Sequence, residues 1–397
     1  MGEKERCPRE KSESLEPEFL EAGATKSTDH PASDRQYPIE PDQFRTAFER
    51  DYTRILHSRA FRRLRHKTQV FVDPRNDHIC TRLEHSLYVA SVSRTISKAL
   101  GLNNDLVAAI SLGHDLGHAP FGHEGEKCLQ ELANQNSISF QHELHSLRVI
   151  DKIERMYPEH PGLNLTFAVR DGIACHCGEK FEQRIAPDRN KRPKNLNAAA
   201  LADRPATTEG CVVRFADKIA YLGRDLEDAI TVGILTRNKI PDAIRNTLGR
   251  DNSAIIGAMI GDVIQNSDDN GIAMSDKVHQ ASLALKSLNE KRIYSDPKVV
   301  RSRFGQIEKA MRFMFDELLN FINEAKSKGS GSALFCEDKR KSRNLVCLDV
   351  LHEFLATDIQ SWETEKPAQL VVDFIAGMTD SFFIRSFEEL FLPRSAV

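Results

Sequence analysis

The chain has little that would place it in a membrane or outside the cell. None of its apolar runs approaches the roughly 20 residues that a membrane-spanning helix needs. The N-terminus lacks the apolar stretch of a secretory signal peptide. The eight cysteines are scattered, and without a secretory signal they are expected to stay reduced. The sequence therefore predicts a cytoplasmic protein.

A strong net charge, internal repeats and a structural zinc motif are also missing. The formal net charge is −3 over 397 residues, which does not indicate a nucleic-acid binder. Residues 175–177 read CHC, but they lack the second pair of ligands that a structural zinc site requires. The length suits one large domain or two ordinary ones.

The distribution of polar and apolar residues predicts a mostly α protein. Residues 1–40 are polar and charged, which predicts a mobile N-terminal arm or a segment that only a partner orders. Proline and basic residues over 184–207 indicate a loop inserted between helices, and a glycine- and serine-rich connection lies at 327–332. Elsewhere apolar residues recur at helical spacing, with at most a short β-hairpin near 68–80.

One segment, residues 114–126, is denser in reactive side chains than any other. It reads HDLGHAPFGHEGE and holds three histidines and three carboxylates within 13 residues. Glycines and a proline interrupt it, so no regular helix or strand is expected to run through it. Imidazole and carboxylate groups at this density are typical of a metal site with proton-transfer groups beside it.

Metal ligands are predicted at four positions. The adjacent His114 and Asp115 offer one nitrogen and one oxygen ligand to a divalent ion. Upstream, His85 lies in a helix-like run, and downstream Asp217 lies in a longer one. A lone histidine is more often a partly buried, hydrogen-bonded side chain than a ligand. Taken together, however, the four residues form the pattern H…HD…D.

This pattern resembles the HD superfamily of helical metal-dependent phosphohydrolases. Flanking segments narrow the resemblance to the deoxynucleoside triphosphate triphosphohydrolase (dGTPase-like) family. In chain order they are RILHS at 54–58, AFRRL at 60–64, KTQVF at 67–71, TRLEHSL at 81–87, GLNLT at 162–166 and DFIAGMTD at 373–380. A lone His-Asp pair is weak evidence, whereas this ordered set is specific.

The resemblance implies a fold, an activity and a cofactor. The fold is a mostly α HD-domain helical bundle with additional C-terminal helices. The activity is metal-dependent hydrolysis of a deoxynucleoside triphosphate to a deoxynucleoside and inorganic triphosphate. The cofactor is one divalent ion, held by His85, His114, Asp115 and Asp217. Mixed nitrogen and oxygen ligands suit Mn, Mg or Fe, and Ni, Co or Zn are ions that a crystal could contain.

Proton transfer is assigned to the remaining groups of residues 114–126. His123 is the candidate to move a proton at the reacting oxygens. Glu126 is placed to orient its imidazole if a helix begins by Gly122. An acid in the first turn of a helix is favoured by the helix dipole in any case, and the two interpretations are compatible. His118 is close enough in sequence to assist. The sequence does not decide whether His123 acts as acid or base.

Substrate contacts are carried over from the family position by position. The residues concerned are Gln69, Arg82, His142, Lys218, Tyr221 and Asp225. The resemblance places Arg82 and Lys218 on the phosphates, with His142 nearby. It places the other three around the sugar, where they could select the 3′-hydroxyl and crowd out a 2′-hydroxyl. This chain has Glu143 where the family commonly has asparagine.

The helix predicted around Asp217 has two contrasting faces. At about 100° per residue, Tyr221 and Asp225 fall within about 80° of Asp217, while apolar side chains cluster on the opposite side. Such a polar stripe is usually a solvated face. Its position at a predicted metal ligand instead favours the wall of a cleft.

Two other functions fit parts of the pattern. An HD-type nucleotidase or phosphodiesterase would release monophosphate, although small HD nucleotidases lack the flanking segments. A nucleic-acid-binding regulator on an HD scaffold would suit the basic cluster at 54–67, which also leaves open a nucleotide or single-stranded DNA effector.

The predicted organisation has three parts. The arm at 1–40 precedes a catalytic core at 41–235, and a helical C-terminal region at 236–397 packs on that core. The resemblance alone predicts a homo-oligomer.

Overall fold

The helices dominate the computed structural model, which describes residues 6–71, 78–177, 181–196, 204–295, 301–327, 346–355 and 364–392. In the first half they are Pro8–Phe19 (α1), Ala47–Leu56 (α2), Arg59–Arg63 (α3), Arg82–Ala99 (α4), Asn104–Gly113 (α5), Gly122–Gln135 (α6), His142–Arg148 (α7) and Phe167–Ala174 (α8). They continue with Thr208–Thr231 (α9), Asp242–Thr247 (α10), Asn252–Asn266 (α11), Asp276–Asn289 (α12), Arg301–Ser327 (α13), Val346–Glu353 (α14), Pro367–Gly377 (α15) and Asp380–Phe391 (α16). The predicted mostly α fold class is confirmed.

Three helices at the centre carry the HD-type residues. α4 packs against both α5 and α9, and α2 also packs on α5. α5 is largely apolar, and every residue from Leu106 to Gly113 is buried. A capping box fixes the start of α4, because Thr81 and Glu84 each bind the backbone N–H of the other. This start sets the position of His85 in the first turn.

α8 approaches α5 closely enough that two glycines are needed. A Cβ atom at Gly113 would lie 2.4 Å from Ile173, and one at Gly172 would lie 2.4 Å from Ile110. A larger side chain at either glycine would have to displace the facing isoleucine side chain from its packed position. The close contact brings the residues that follow α8, including His176, next to the end of α5.

The N-terminal segment is not the mobile arm that its composition predicts. From residue 6 onward the structure ties it to the core. The Glu209 carboxylate of α9 accepts hydrogen bonds from the Thr25 backbone N–H at 2.9 Å and the Thr25 hydroxyl at 2.8 Å. Glu16 on α1 is likewise bound by Ser27. Thr25 and Ser27 of this segment therefore satisfy buried carboxylates and anchor it to the core.

The regular sheet among the described residues is a single pair of strands. Arg184–Ile185 (β1) and Ile272–Ala273 (β2) pair antiparallel. β1 opens the stretch that was predicted to be a loop at 184–207, of which residues 197–203 lie outside the described part.

Two other predicted connections lie only partly within the described residues. An isolated antiparallel bridge joins Thr68 to Thr81 where a short hairpin was predicted, and residues 72–77 between them are outside the described part. The connection predicted at 327–332 is outside it from residue 328 onward.

The C-terminal helices contact the core through buried polar groups. α13 packs against α6 and α15. The buried Lys67 donates a hydrogen bond at 2.6 Å to the Ala376 carbonyl at the end of α15 and another to the His118 carbonyl. None of the described helices combines the length and apolar character that crossing a membrane requires.

Candidate metal centre and adjoining cleft

The four predicted metal ligands converge from three helices. His85 lies on α4 and Asp217 on α9, while His114 and Asp115 directly follow α5. His85 Nε2 is 3.0 Å from an Asp217 carboxylate oxygen, and His114 Nε2 is 3.5 Å from Asp115. Potential ligand atoms of His85, His114 and Asp115 all lie within 4.8 Å of one another. This buried cluster is able to hold a metal ion.

The orientation of His114 fits a role as a metal ligand. Its Nδ1 lies 2.7 Å from the Ser111 carbonyl, so this nitrogen carries the proton and Nε2 is the one that faces the carboxylates. Nε2 is buried and has no hydrogen-bond partner. A buried polar atom without a partner is costly unless a ligand satisfies it. The donor set therefore fits a divalent cation that accepts nitrogen and oxygen ligands.

Burial and neighbouring charges shift the pKa values of all four side chains. Burial raises the pKa values of Asp115 and Asp217, but the imidazoles of His114 and His85 respectively outweigh it and keep both well below the usual range. Burial lowers the pKa of His114, which favours the neutral imidazole. Burial also lowers the pKa of His85, but the hydrogen bond to Asp217 outweighs it and raises this pKa, so a metal would have to displace that proton. Anionic carboxylates and neutral imidazole are the forms that bind metals.

Arg82, predicted to contact phosphate, lies directly beside a predicted ligand. Its side chain is 1% exposed, and one guanidinium nitrogen donates a hydrogen bond at 2.7 Å to Asp115. The Nε and the second terminal nitrogen are buried without hydrogen-bond partners. A guanidinium whose remaining N–H groups have no hydrogen-bond acceptor is suited to binding a phosphate oxygen at this position.

A cluster of three further side chains adjoins the metal ligands. The Glu126 carboxylate is 2.7 Å from His142 Nδ1 and accepts the His142 backbone N–H at 3.0 Å. The His118 and His142 rings stack with centroids 3.9 Å apart. Burial lowers the pKa of His142, but Glu126 and Glu143 raise it to about 10. Burial lowers the pKa of His118 well below its usual value. The cluster thus offers one imidazolium and one neutral imidazole.

His123 and Glu126, predicted to touch, lie within ion-pair distance but are not hydrogen-bonded. The His123 imidazole is 64% exposed, and its Nδ1 lies 3.8 Å from the nearest Glu126 oxygen. α6 does begin at Gly122, so the helical spacing is as predicted. The carboxylate turns to His142 instead, because α7 brings that imidazole within 2.7 Å. Glu126 therefore orients His142 in this structure.

The polar face of α9 is buried rather than solvated. Lys218 is 7% exposed and Asp225 is 2% exposed, while Tyr221 is half-buried. Asp225 accepts a hydrogen bond from the Tyr294 hydroxyl. Burial raises the pKa of the Asp225 carboxyl to about 6. This face therefore continues from the metal ligands as a buried polar surface, where the sequence predicts the wall of a substrate cleft.

Gln69 approaches the site from the segment after α3. Its side chain is buried, and its Oε1 has no hydrogen-bond partner. Its backbone carbonyl would lie 2.9 Å from a Cβ atom at Gly122, where φ is +60° and glycine is favoured. Asp380 accepts the backbone N–H groups of Thr68 at 3.1 Å and Phe121 at 2.9 Å. The C-terminal region thereby joins the Gln69 segment to the start of α6.

Two side chains at the cleft, Glu182 and Tyr294, were not predicted as site residues. The Glu182 carboxylate is 2.5 Å from Arg214 of α9. Both arise from segments outside the motifs, and no spacing in the sequence points to them. His176, the histidine of the CHC segment, packs edge-on against His114 with ring centroids 4.9 Å apart. Its position depends on the close contact of α8 with α5.

The helical core and its convergent histidines and aspartates define an HD-domain protein. The HD domain family model matches residues 82–222, from the start of α4 into α9. A model of the phosphohydrolase-associated domain matches residues 348–389, which span α14 to α16.

Three relatives, each described as a deoxyguanosinetriphosphate triphosphohydrolase-like protein, match nearly the whole chain. That of Desulfatibacillum aliphaticivorans is 38% identical over 393 residues, covering 98% of this chain and 99% of the relative. That of Caldanaerobacter subterraneus subsp. tengcongensis is 36% identical over 386 residues, covering 97% and 96%. That of Clostridium tetani is 33% identical over 395 residues, covering 98% and 97%. The chain belongs to the deoxyguanosinetriphosphate triphosphohydrolase-like family, which confirms the resemblance.

Proposed function

We propose that this chain hydrolyses deoxynucleoside triphosphates to deoxynucleoside and inorganic triphosphate at a divalent metal held by His85, His114, Asp115 and Asp217. The observation that carries the proposal is the assembly of these four side chains beside the buried cation of Arg82. Many reactions use a metal cluster, but a guanidinium with unused donors next to the ligands suits a polyphosphate. The names of the relatives, which describe triphosphohydrolase-like proteins, support the same activity.

The bound metal and the nearby cationic side chains would both stabilise the negative charge of the phosphates. A divalent ion in this site would supply Lewis-acid polarisation of the α-phosphoryl oxygen. Arg82, Lys218 and the imidazolium of His142 would bind the phosphate oxygens and reduce their repulsion of the attacking water. Glu126 keeps His142 cationic in this arrangement. The donor set suits Mn, Mg or Fe, without selecting one of them.

Proton transfer at the reacting oxygens is assigned to His123. Among the three histidines of residues 114–126, His114 is directed at the ligand cluster and His118 is buried against the His142 ring. His123 alone of the three is exposed, so its imidazole can reach a bound substrate and exchange protons with water. His118, neutral and adjacent, would assist it.

The sugar is assigned to the cleft wall formed by Tyr221, Asp225, Tyr294 and Gln69. The Asp225 carboxylate already accepts one hydroxyl, and the Gln69 Oε1 has no hydrogen-bond partner. Both groups are suited to accept the 3′-hydroxyl of a deoxyribose. The Tyr221 ring would fill the space that a 2′-hydroxyl requires.

The wider organisation remains predicted from the resemblance. A catalytic core at 41–235 and a C-terminal region at 236–397 are the proposed divisions. A homo-oligomer is a prediction on the same basis. A cytoplasmic location remains predicted from the cysteines and the N-terminus, and a nucleotide or single-stranded DNA effector from the basic cluster at 54–67.

Product analysis tests the proposal. Each deoxynucleoside triphosphate is incubated with the full chain and Mn, Mg or Co, and the products are separated by ion-exchange chromatography. We expect equal amounts of deoxynucleoside and inorganic triphosphate. Deoxynucleoside monophosphate with pyrophosphate, or release of orthophosphate, would contradict the proposal and favour the nucleotidase or phosphodiesterase alternative. The Asp217→Ala protein is the control for a contaminating hydrolase.

A further inference from the structure

Two buried cations on α9 share one carboxylate. Glu182 lies 2.5 Å from Arg214 and 3.3 Å from Lys218. The side chains of Arg214 and Lys218 are only 5% and 9% exposed, whereas that of Glu182 is 26% exposed. Burying cations is costly unless an anion compensates their charge. Glu182 supplies such an anion, and it lies on the more exposed side of the pair.

The two cations lie along the helix that carries a candidate metal ligand. Lys218 follows Asp217 directly, and Arg214 is three residues before it, so all three share neighbouring parts of one helix surface. Arg214 also donates a hydrogen bond at 3.3 Å to the carbonyl that precedes His176, whose ring packs on His114. A chain of phosphates that begins at the metal ligands has these cations next to it.

The backbone of Glu182 is held in place on both sides. His279 Nε2 is 2.8 Å from the carbonyl of Phe181, and the Met274 N–H donates at 2.9 Å to the carbonyl of Gln183. A competing anion therefore does not need to open this segment. Rotation of the partly exposed Glu182 side chain is sufficient to release both cations.

We propose that Arg214 and Lys218 form a phosphate subsite, and that Glu182 occupies it as an internal substitute until the triphosphate displaces it. The inference rests on the proposed triphosphohydrolase function and adds Arg214, which the family resemblance did not assign. Carboxylate and phosphate oxygens both bind a guanidinium through paired hydrogen bonds, so one can replace the other. Triphosphate carries more negative charge than one carboxylate and is held at the metal ligands as well.

Glu182 then lowers the affinity for triphosphate, because its own ion pairs must be broken before the phosphate binds. Removing its charge should tighten binding, and removing the Arg214 charge should weaken it. A purely structural Arg214–Glu182 ion pair predicts neither change in affinity.

Isothermal titration of inorganic triphosphate into the Mn-loaded full chain tests the inference. We expect Glu182→Gln to lower the Kd by about fivefold or more, and Arg214→Gln to raise it by a similar factor. Glu227→Gln is the matched control, because Glu227 is also on α9 and pairs with Arg237 at 2.9 Å. It removes the same single charge away from the cleft, and its Kd should equal that of the unmodified chain.

An unchanged Kd in Glu182→Gln, an equal decrease in Glu227→Gln, or no triphosphate binding by any of the folded proteins would overturn the subsite. Thermal melting establishes folding first, and if Arg214→Gln does not fold, Glu182→Gln decides the matter alone. The measurement needs no turnover. A chain that shows the expected affinities but releases no triphosphate from nucleotides would reject the proposed function and leave the subsite standing.

Discussion

The metal centre and the outer wall of the cleft are built in different ways. The four metal-centre side chains lie on, or directly after, the core helices α4, α5 and α9, which bury three of them and leave the Asp217 side chain 13% exposed. The outer wall combines Lys218 and Asp225 on α9 with Glu182 and Tyr294, which come from segments before β1 and after α12. The difference separates two tasks. Packed helices would fix the reacting groups, while side chains between helices would select the substrate.

The largest effect is expected from the metal centre itself. Asp217→Ala removes a carboxylate that lies 3.0 Å from His85. We expect loss of bound metal and of all measurable turnover, since an anionic ligand is gone. Elemental analysis of the purified protein measures this. Asp228→Asn, further along the same face of α9, is the control and should retain metal. Stoichiometric metal in Asp217→Ala would rule out the four-ligand centre.

A smaller loss of rate is expected at the exposed histidine. His123→Ala should lower kcat by about 100- to 10,000-fold, the usual contribution of a general acid or base. Bound metal should remain, because His123 is not among the four metal-centre side chains. Steady-state kinetics and elemental analysis check the two parts. His66→Ala, which changes another exposed imidazole, should leave kcat unchanged. A near-normal kcat in His123→Ala would remove this residue from the chemistry.

A still smaller and more selective effect is expected at the outer wall. Tyr294→Phe removes the hydroxyl that Asp225 accepts. A buried carboxylate that loses a hydrogen bond is destabilised by about 1–3 kcal/mol, so binding of the 3′-hydroxyl should be disturbed. We expect the ratio of kcat/KM for deoxy over 2′,3′-dideoxy substrates to change by about tenfold, with bound metal retained.

The matched control for this variant is Tyr88→Phe on α4, which should not alter the ratio. The unmodified chain should also hydrolyse deoxynucleotides well and ribonucleotides poorly. An equal kcat/KM for dGTP and GTP would contradict selection of the sugar by this wall.

The smallest effect on activity is expected at Glu209, which is far from the metal centre and from the outer wall of the cleft. Glu209→Ala leaves the backbone N–H groups of Thr25 and Asn103 without their acceptor. We expect the free energy of unfolding to fall by about 2–4 kcal/mol, while kcat is unchanged. Urea denaturation measures the loss. Glu18→Ala, at an exposed position of α1, should change stability by less than about 0.5 kcal/mol. Equal stability of the two variants would mean that Glu209 does not anchor the N-terminal segment.

The convergence of the four metal-centre side chains could be predicted because the information for it is local to the motifs. His114 and Asp115 are adjacent in sequence, and helical spacing together with the family resemblance indicated where the other two would lie. The partner of Glu126 could not be predicted in this way. That partner, the His142 imidazole, is 16 residues away in sequence, and the packing of a separate helix places it beside Glu126. The local spacing pointed to His123 instead.

The fold was predictable wherever apolar periodicity was strong. α9 is an example, since its apolar and polar faces are already separated in the sequence. The prediction for the N-terminal segment was wrong because its polar residues are typical of an exposed, mobile chain. Glu209, which binds Thr25, is 184 residues away, and no local pattern reveals that a buried carboxylate will meet it. Tyr294 and Glu182 were not predicted either, because no local sequence pattern reveals the distant residues that they contact.

Hydrolysis in ¹⁸O-labelled water tests the central claim most directly. The account places attack at the α-phosphorus with departure of the nucleoside 5′-oxygen at this metal centre. Mass spectrometry of the products should therefore find one ¹⁸O atom in inorganic triphosphate and none in the deoxynucleoside. Label in a deoxynucleoside monophosphate, in pyrophosphate or in the sugar hydroxyl would contradict the account.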